Sequence, residues 1–89
     1  MTDYIQLYFN LTDDQFNRLT VQQKMVLDYI ACFKSISPME AFIDLGITKL
    51  ATRISEMKTL GIRFDQTYEG RENRFGRKVR YMRYRRSVA

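Results

Sequence analysis

The chain has no histidine and no tryptophan, one cysteine, one proline and only four glycines among its 89 residues. Without histidine and with a single thiol, an ordinary imidazole or thiolate zinc site cannot be assembled. Neither a G-x-x-x-x-G-K-[ST] loop nor a G-x-G-x-x-G turn is present to cradle a nucleotide phosphate. Asp13 and Asp14 adjoin, but they fall in the first turn of an expected helix, where acids complement the dipole. The reading is therefore no cofactor, no metal and no enzyme chemistry. No apolar run approaches the roughly 20 residues that span a bilayer. The first residues carry Asp3 in place of a basic segment leading into a long apolar stretch, so no secretory signal is expected. Cys32 lies inside an apolar helical pattern, where a buried small hydrophobe in a reducing, cytoplasmic compartment is expected.

Basic residues are scarce in one half only. Residues 1 to 48 hold three Lys/Arg against six Asp/Glu, a net of −3, whereas residues 49 to 89 hold twelve against four, a net of +8. Such asymmetry in a protein of pI near 9.6 is the footprint of a polyanion partner. It equally fits a solubilising basic surface, and composition leaves the two open. At this length the chain is one domain with a modest core, which argues against a deep catalytic cleft.

The most specific pattern is S-P-M-E-A-F-I-D-L-G-I-T-K-L-A-T-R-I-S-E-M-K-T-L-G at residues 37 to 61. Ser37 and Glu40 form a capping box, Pro38 takes the first helical position, and Gly46 supplies the left-handed stop. A second helix follows at once, from about Lys49 to Leu60. Thr48 is its expected N-cap, Leu50, Ile54 and Met57 form its inward stripe, and Gly61 ends it. Helix, tight turn and helix is the grammar of a helix-turn-helix.

Upstream, Thr20 and Gln23 open a longer helix from Val21 to Phe33, with Val21, Met25, Val26, Tyr29, Ile30, Cys32 and Phe33 on one broad arc. In the next helix Phe42 and Leu45 are expected to face inward. Residues 1 to 19 form an apolar extension, a strand or a short helix. Ile5, Leu7, Phe9 and Leu11 alternate with polar or tyrosine positions as in a strand, and Thr12 with Gln15 makes a further capping box. Its apolar side chains must be covered by the domain or by a second subunit, and pairing into a homodimer through residues 4 to 19 is the favoured expectation.

Downstream, I-R-F-D-Q-T-Y-E and K-V-R-Y-M-R-Y-R read as strands joined by E-G-R-E-N-R-F-G-R, a hairpin with a long tip and bends at Gly70 and Gly76. The inward face is either Val79 with Tyr81 or Met82 with Tyr84. Arg85 and Arg86 are expected in a frayed tail. The fold class is thus mainly α with a small β-hairpin (α+β): a three-helix core plus a C-terminal basic wing over residues 20 to 86.

The runs S-I-S-P-M-E-A (Ser35 to Ala41), L-G-I-T-x-L-A-x-R-I (Leu45 to Ile54) and N-R-F-G-R-K-V-R-Y (Asn73 to Tyr81) resemble a family of small winged helix-turn-helix proteins of bacteriophages, prophages and other bacterial mobile elements. The resemblance covers about residues 20 to 84. It implies double-stranded DNA binding within the cytoplasm of a bacterial host, and it suggests phosphate or minor-groove contacts for Arg71, Arg74 and Arg77.

Advancing about 100° per residue places Thr52, Ser55, Glu56 and Thr59 on the outward side of the second helix, with Lys49 beside them. Lys49 suits guanine or phosphate, Thr52 and Ser55 suit bases or phosphates, and Glu56 suits cytosine N4. An ordinary solvated helix face is the alternative. Arg53 sits at the border, either reaching a phosphate or pairing with Glu40. In the wing, Arg71, Arg74, Arg77, Lys78 and Arg80 suit phosphates or a narrow minor groove, while Asn73 and Gly76 shape the turn. Three functions remain open: a transcriptional regulator or recombination or excision factor that binds duplex DNA, a protein-binding winged helix that inhibits a host nucleic-acid enzyme, and a single-strand binder using Phe75, Tyr81 and Tyr84.

Overall fold

Reciprocal capping boxes set where three of the helices begin. In the computed structural model, which describes residues 3–87, the helices are α1 (Tyr4–Phe9), α2 (Asp13–Asn17), α3 (Val21–Phe33), α4 (Pro38–Leu45) and α5 (Leu50–Thr59). They are followed by the strands β1 (Phe64–Glu72) and β2 (Lys78–Arg86). Thr12 with Gln15, Thr20 with Gln23 and Ser37 with Glu40 each exchange side-chain and backbone hydrogen bonds at the starts of α2, α3 and α4. Gly46 ends α4 with φ +69°, and Gly61 follows α5 with φ +93°. At Gly61 a side chain would also meet Gln15 Nε2 at 3.0 Å, the atom that donates to Leu60 O.

One core holds these elements together. Val26, Leu27 and Ile30 of α3, Ile36, Ala41 of α4, Ile47, Leu50, Ile54 and Met57 of α5, Ile62 and Tyr84 of β2 are all buried in it. Ile5, Leu11 and Leu19 of the N-terminal segment join the same cluster, and Tyr8, Phe9 and Phe16 pack on its edge. Tyr4–Phe9 is therefore a helix, capped by Asp3 and closed by Asn10 in the left-handed region, and not a strand. Ile5, Tyr8 and Phe9 stand at helical spacing toward the domain, whereas Leu7 is 69% exposed. The apolar side chains that would drive pairing are mostly covered by their own domain. Arg86 clamps the segment, donating to Tyr8 O at 2.9 Å with its guanidinium 4.1 Å from the Tyr8 ring centre.

Several inward positions differ from expectation. The buried stripe of α3 is Gln23, Val26, Leu27, Ile30 and Ala31, while Val21, Cys32 and Phe33 are exposed. The helix has two apolar faces, and the expected arc merges them. The second, with Met25, Tyr29 and Phe33, lines a shallow groove against Asp44 and Leu45 of α4. Phe42 is 57% exposed, because Ala41 takes the inward position of α4. Thr48 does not cap α5. Lys49 is the N-cap residue and makes no side-chain cap bond, since burial of Ile47 and its N–H bond to Ala41 O fix the turn one residue further along.

The strands pair antiparallel with Phe64 opposite Arg86 and Glu72 opposite Lys78. Only residues 73 to 77 are left as the tip, so the loop is shorter than expected and Gly70 lies inside β1 rather than at a bend. Met82 and Tyr84, not Val79 and Tyr81, lie toward the core. Tyr84 also exchanges both backbone hydrogen bonds with Ile36, which seats the hairpin on the segment before α4.

Candidate nucleic-acid interface

Alternation along β2 sorts its cations into two classes. Lys78 and Arg80 share a face with Met82 and Tyr84, and Arg83 and Arg85 lie on the other. Arg83 is the hub of an internal network. Its guanidinium donates to Glu40 Oε1 at 2.8 Å and to Ser35 Oγ at 3.0 Å, and its Nε lies 3.0 Å from Glu69 Oε2. Glu69 also accepts from Tyr81 at 3.0 Å and Arg85 at 3.3 Å, and Arg85 donates to Thr67. Burial draws the Arg83 pKa down, but its contacts with Glu69, Tyr81 and Glu40 outweigh it and the net shift is upward. The hydrogen bond from Arg83 is the main influence holding the Glu69 carboxyl below its usual range. Arg85 and Arg86 are thus built into the strand end, not a frayed tail.

Beyond this network the wing is solvated. Residues 71 to 80 are all exposed, and among the described residues none of Arg71, Arg74, Arg77, Lys78 or Arg80 is in an ion pair. Arg80 lies 4.8 Å from the Tyr68 ring centre. The tip is held by Asn73, whose Oδ1 accepts from the N–H groups of Phe75 at 2.9 Å and Arg77 at 3.0 Å.

On α5 the expected sides are the observed ones: Leu50, Ile54 and Met57 are buried, and Thr52, Ser55, Glu56 and Thr59 are exposed. Lys49 stands exposed at the start of the helix. The Thr59 hydroxyl donates back to Ser55 O at 3.2 Å. Arg53 pairs with Glu56, Nε to Oε1 at 3.2 Å, and not with Glu40, which Arg83 already occupies. That contact lies off the N–H axis, so the buried Nε is left without a hydrogen bond. Glu56 Oε1 also accepts from Gln23 at 3.2 Å, so one carboxylate oxygen of this candidate base reader is held by its own domain.

Lys58 and Arg63, both exposed, stand where α5 leads into β1, and composition-level reading overlooks them. Lys58 donates to Gln66 at 2.6 Å. Gln66 shares its wing face with Lys78 and Arg80, so the free cations of that face lie on the α5 side of the hairpin. The local signal was Lys58 itself, in the last turn beside the stop at Gly61.

The winged helix-turn-helix domain family model matches residues 21–85. The chain belongs to this family. The match takes in α3, α4, α5 and both strands of the winged helix, and α1 and α2 lie before it. The comparison with curated proteins gave no match, and neither did the comparison with solved structures. Among the described residues of the winged helix, no group of three or more metal-ligating side chains stands together, and no helix is long and apolar enough to cross a membrane.

Proposed function

We propose that the protein binds double-stranded DNA and acts as a transcriptional regulator or as an accessory factor in recombination or excision, in a phage or mobile element. The observation that carries this reading is the division of cations in the wing. Arg83 and Arg85 are consumed by Glu40 and Glu69, while Arg71, Arg74, Arg77, Lys78 and Arg80 are presented to solvent and, among the described residues, have no carboxylate partner. A merely solubilising surface has no need of that segregation. Helix α5 enters the major groove with Thr52, Ser55 and Thr59 toward base edges and Lys49 on a phosphate, and the wing follows the backbone into the adjacent minor groove. Arg53 and Glu56 restrain one another. In this reading they set the orientation of the helix as much as they touch DNA.

Mobility shifts comparing random duplex, single-stranded DNA and RNA test the reading. Preference for duplex supports it, and preference for single strands or absence of binding counts against it. A second reading, a protein-binding winged helix, draws on Phe33, Phe42 and Ile43, which are exposed on α3 and α4 within the acidic half of the chain. Retention of duplex binding by substitutions there separates the two faces.

A further inference from the structure

We propose that Phe75 is a wedge that enters the minor groove of bound duplex DNA, unstacks a base step and bends the helix. The proposal rests on the duplex-binding reading and adds an architectural activity to it. Phe75 is 83% exposed, the highest value among the exposed large apolar side chains of the described residues. A ring of this size left in water forgoes one of the largest burial gains a side chain can make.

The ring is displayed on a pinned turn. Besides the two bonds to Asn73 Oδ1, the Asn73 N–H donates to Arg77 O at 2.8 Å, the Gly76 N–H donates to Asn73 O at 3.0 Å, and Gly76 adopts φ +75°. Asn73 therefore closes the loop on both sides of Phe75 and fixes its backbone at the end of the hairpin.

The flanks decide which partner fits. Arg71 and Arg74 precede the ring and Arg77 and Lys78 follow it, with Glu72 the one carboxylate in that span. A protein pocket for Phe75 would also have to accommodate these cations. The minor groove has phosphates along both walls and stacked base pairs at its floor, so one surface takes the guanidinium groups and the aromatic ring together. Apolar side chains inserted there kink DNA by roughly 20° to 90°. The cost is lowest at flexible pyrimidine–purine steps and highest in stiff A-tracts.

The test uses two short duplexes carrying a donor and an acceptor dye at their ends, one with a central TA step and one with a central A-tract. A matched TA duplex without dyes has 2-aminopurine in place of the adenine of the step. With the wild-type chain, the ends of the TA duplex draw together, 2-aminopurine fluorescence rises, and the A-tract duplex responds less. Phe75→Ala abolishes both signals while binding within about tenfold of wild type, because the ring's burial and the cost of unstacking largely offset each other. Its salt dependence is unchanged, and Phe75→Leu retains the bend. A wild-type complex visible by mobility shift whose DNA is neither bent nor unstacked overturns the wedge and leaves duplex binding standing. So does a Phe75→Ala complex that bends DNA as the wild type does. Failure of the wild-type chain to shift any duplex overturns both readings.

Discussion

Arg83 Nη1 reaches Glu40 Oε1 at 2.8 Å, and the same oxygen accepts the Ser37 N–H at 2.9 Å, so one carboxylate both caps α4 and ties the wing to it. The helix-turn-helix and the hairpin are thereby oriented relative to one another. The Arg83 side chain is only 16% exposed, which makes the pair less screened than a surface ion pair. Removing one partner leaves the other part-buried and short of its hydrogen bonds.

Arg83→Met is expected to lower stability by about 2 kcal/mol, because Glu40 and Glu69 each lose a charged donor. Arg83→Lys recovers only part, since an ammonium cannot repeat the forked contact. Urea denaturation of the three chains measures this. Equal stability of Arg83→Met and wild type would show that the hub is not structural.

Glu69 links Tyr81, Arg83 and Arg85, and its pKa is lowered on folding. A depressed folded pKa means a stabilisation that is complete above the unfolded value of 4.5 and is lost as pH falls through the folded value. Melting temperature should therefore decline as the pH drops below about 4.5, and Glu69→Gln should flatten that limb of the curve. An identical acid limb in the variant would contradict the assignment.

The N-terminal segment is predicted to be part of the domain. Leu11 is buried in the common core, so Leu11→Ala should cost about 2 to 4 kcal/mol, as core truncations do. The intact chain should sediment as a monomer, because most of the apolar side chains available for pairing already face its own domain. A concentration-dependent dimer would argue for an interface on the remaining exposed residues, Tyr4 and Leu7.

On α5, Thr52→Ala or Ser55→Ala should change which duplex is preferred by about 1 to 3 kcal/mol where a base contact is lost, with the melting temperature unaffected. Competition against random duplex DNA measures it. A preference identical to wild type would exclude these hydroxyls as readers.

Features written within a few residues were the legible ones. The capping boxes at Thr12, Thr20 and Ser37, the stops at Gly46 and Gly61 and the buried stripe of α5 are short-range and mutually reinforcing. The buried side of α3 was not legible, because Met25, Tyr29 and Phe33 lie on a second apolar face that periodicity cannot rank below the first. The alternation at Ile5, Leu7, Phe9 and Leu11 mimicked a strand while Ile5, Tyr8 and Phe9 carried a helical stripe. The choice depended on a distant surface for them to meet. The same holds for the wing cations. Their sequence shows a basic run, and only the register of β2 against β1 separates the arginines tied to Glu40 and Glu69 from those left free.

The measurement closest to the central claim is the salt dependence of duplex binding, compared between wild type and the Arg74→Ala/Arg77→Ala double variant. About four to six phosphate contacts predict a slope of log affinity against log salt of roughly −4 to −5, and loss of two of them should flatten it by about 2. A wild-type chain without affinity for duplex at low salt, or a double variant with the wild-type slope, would contradict the account.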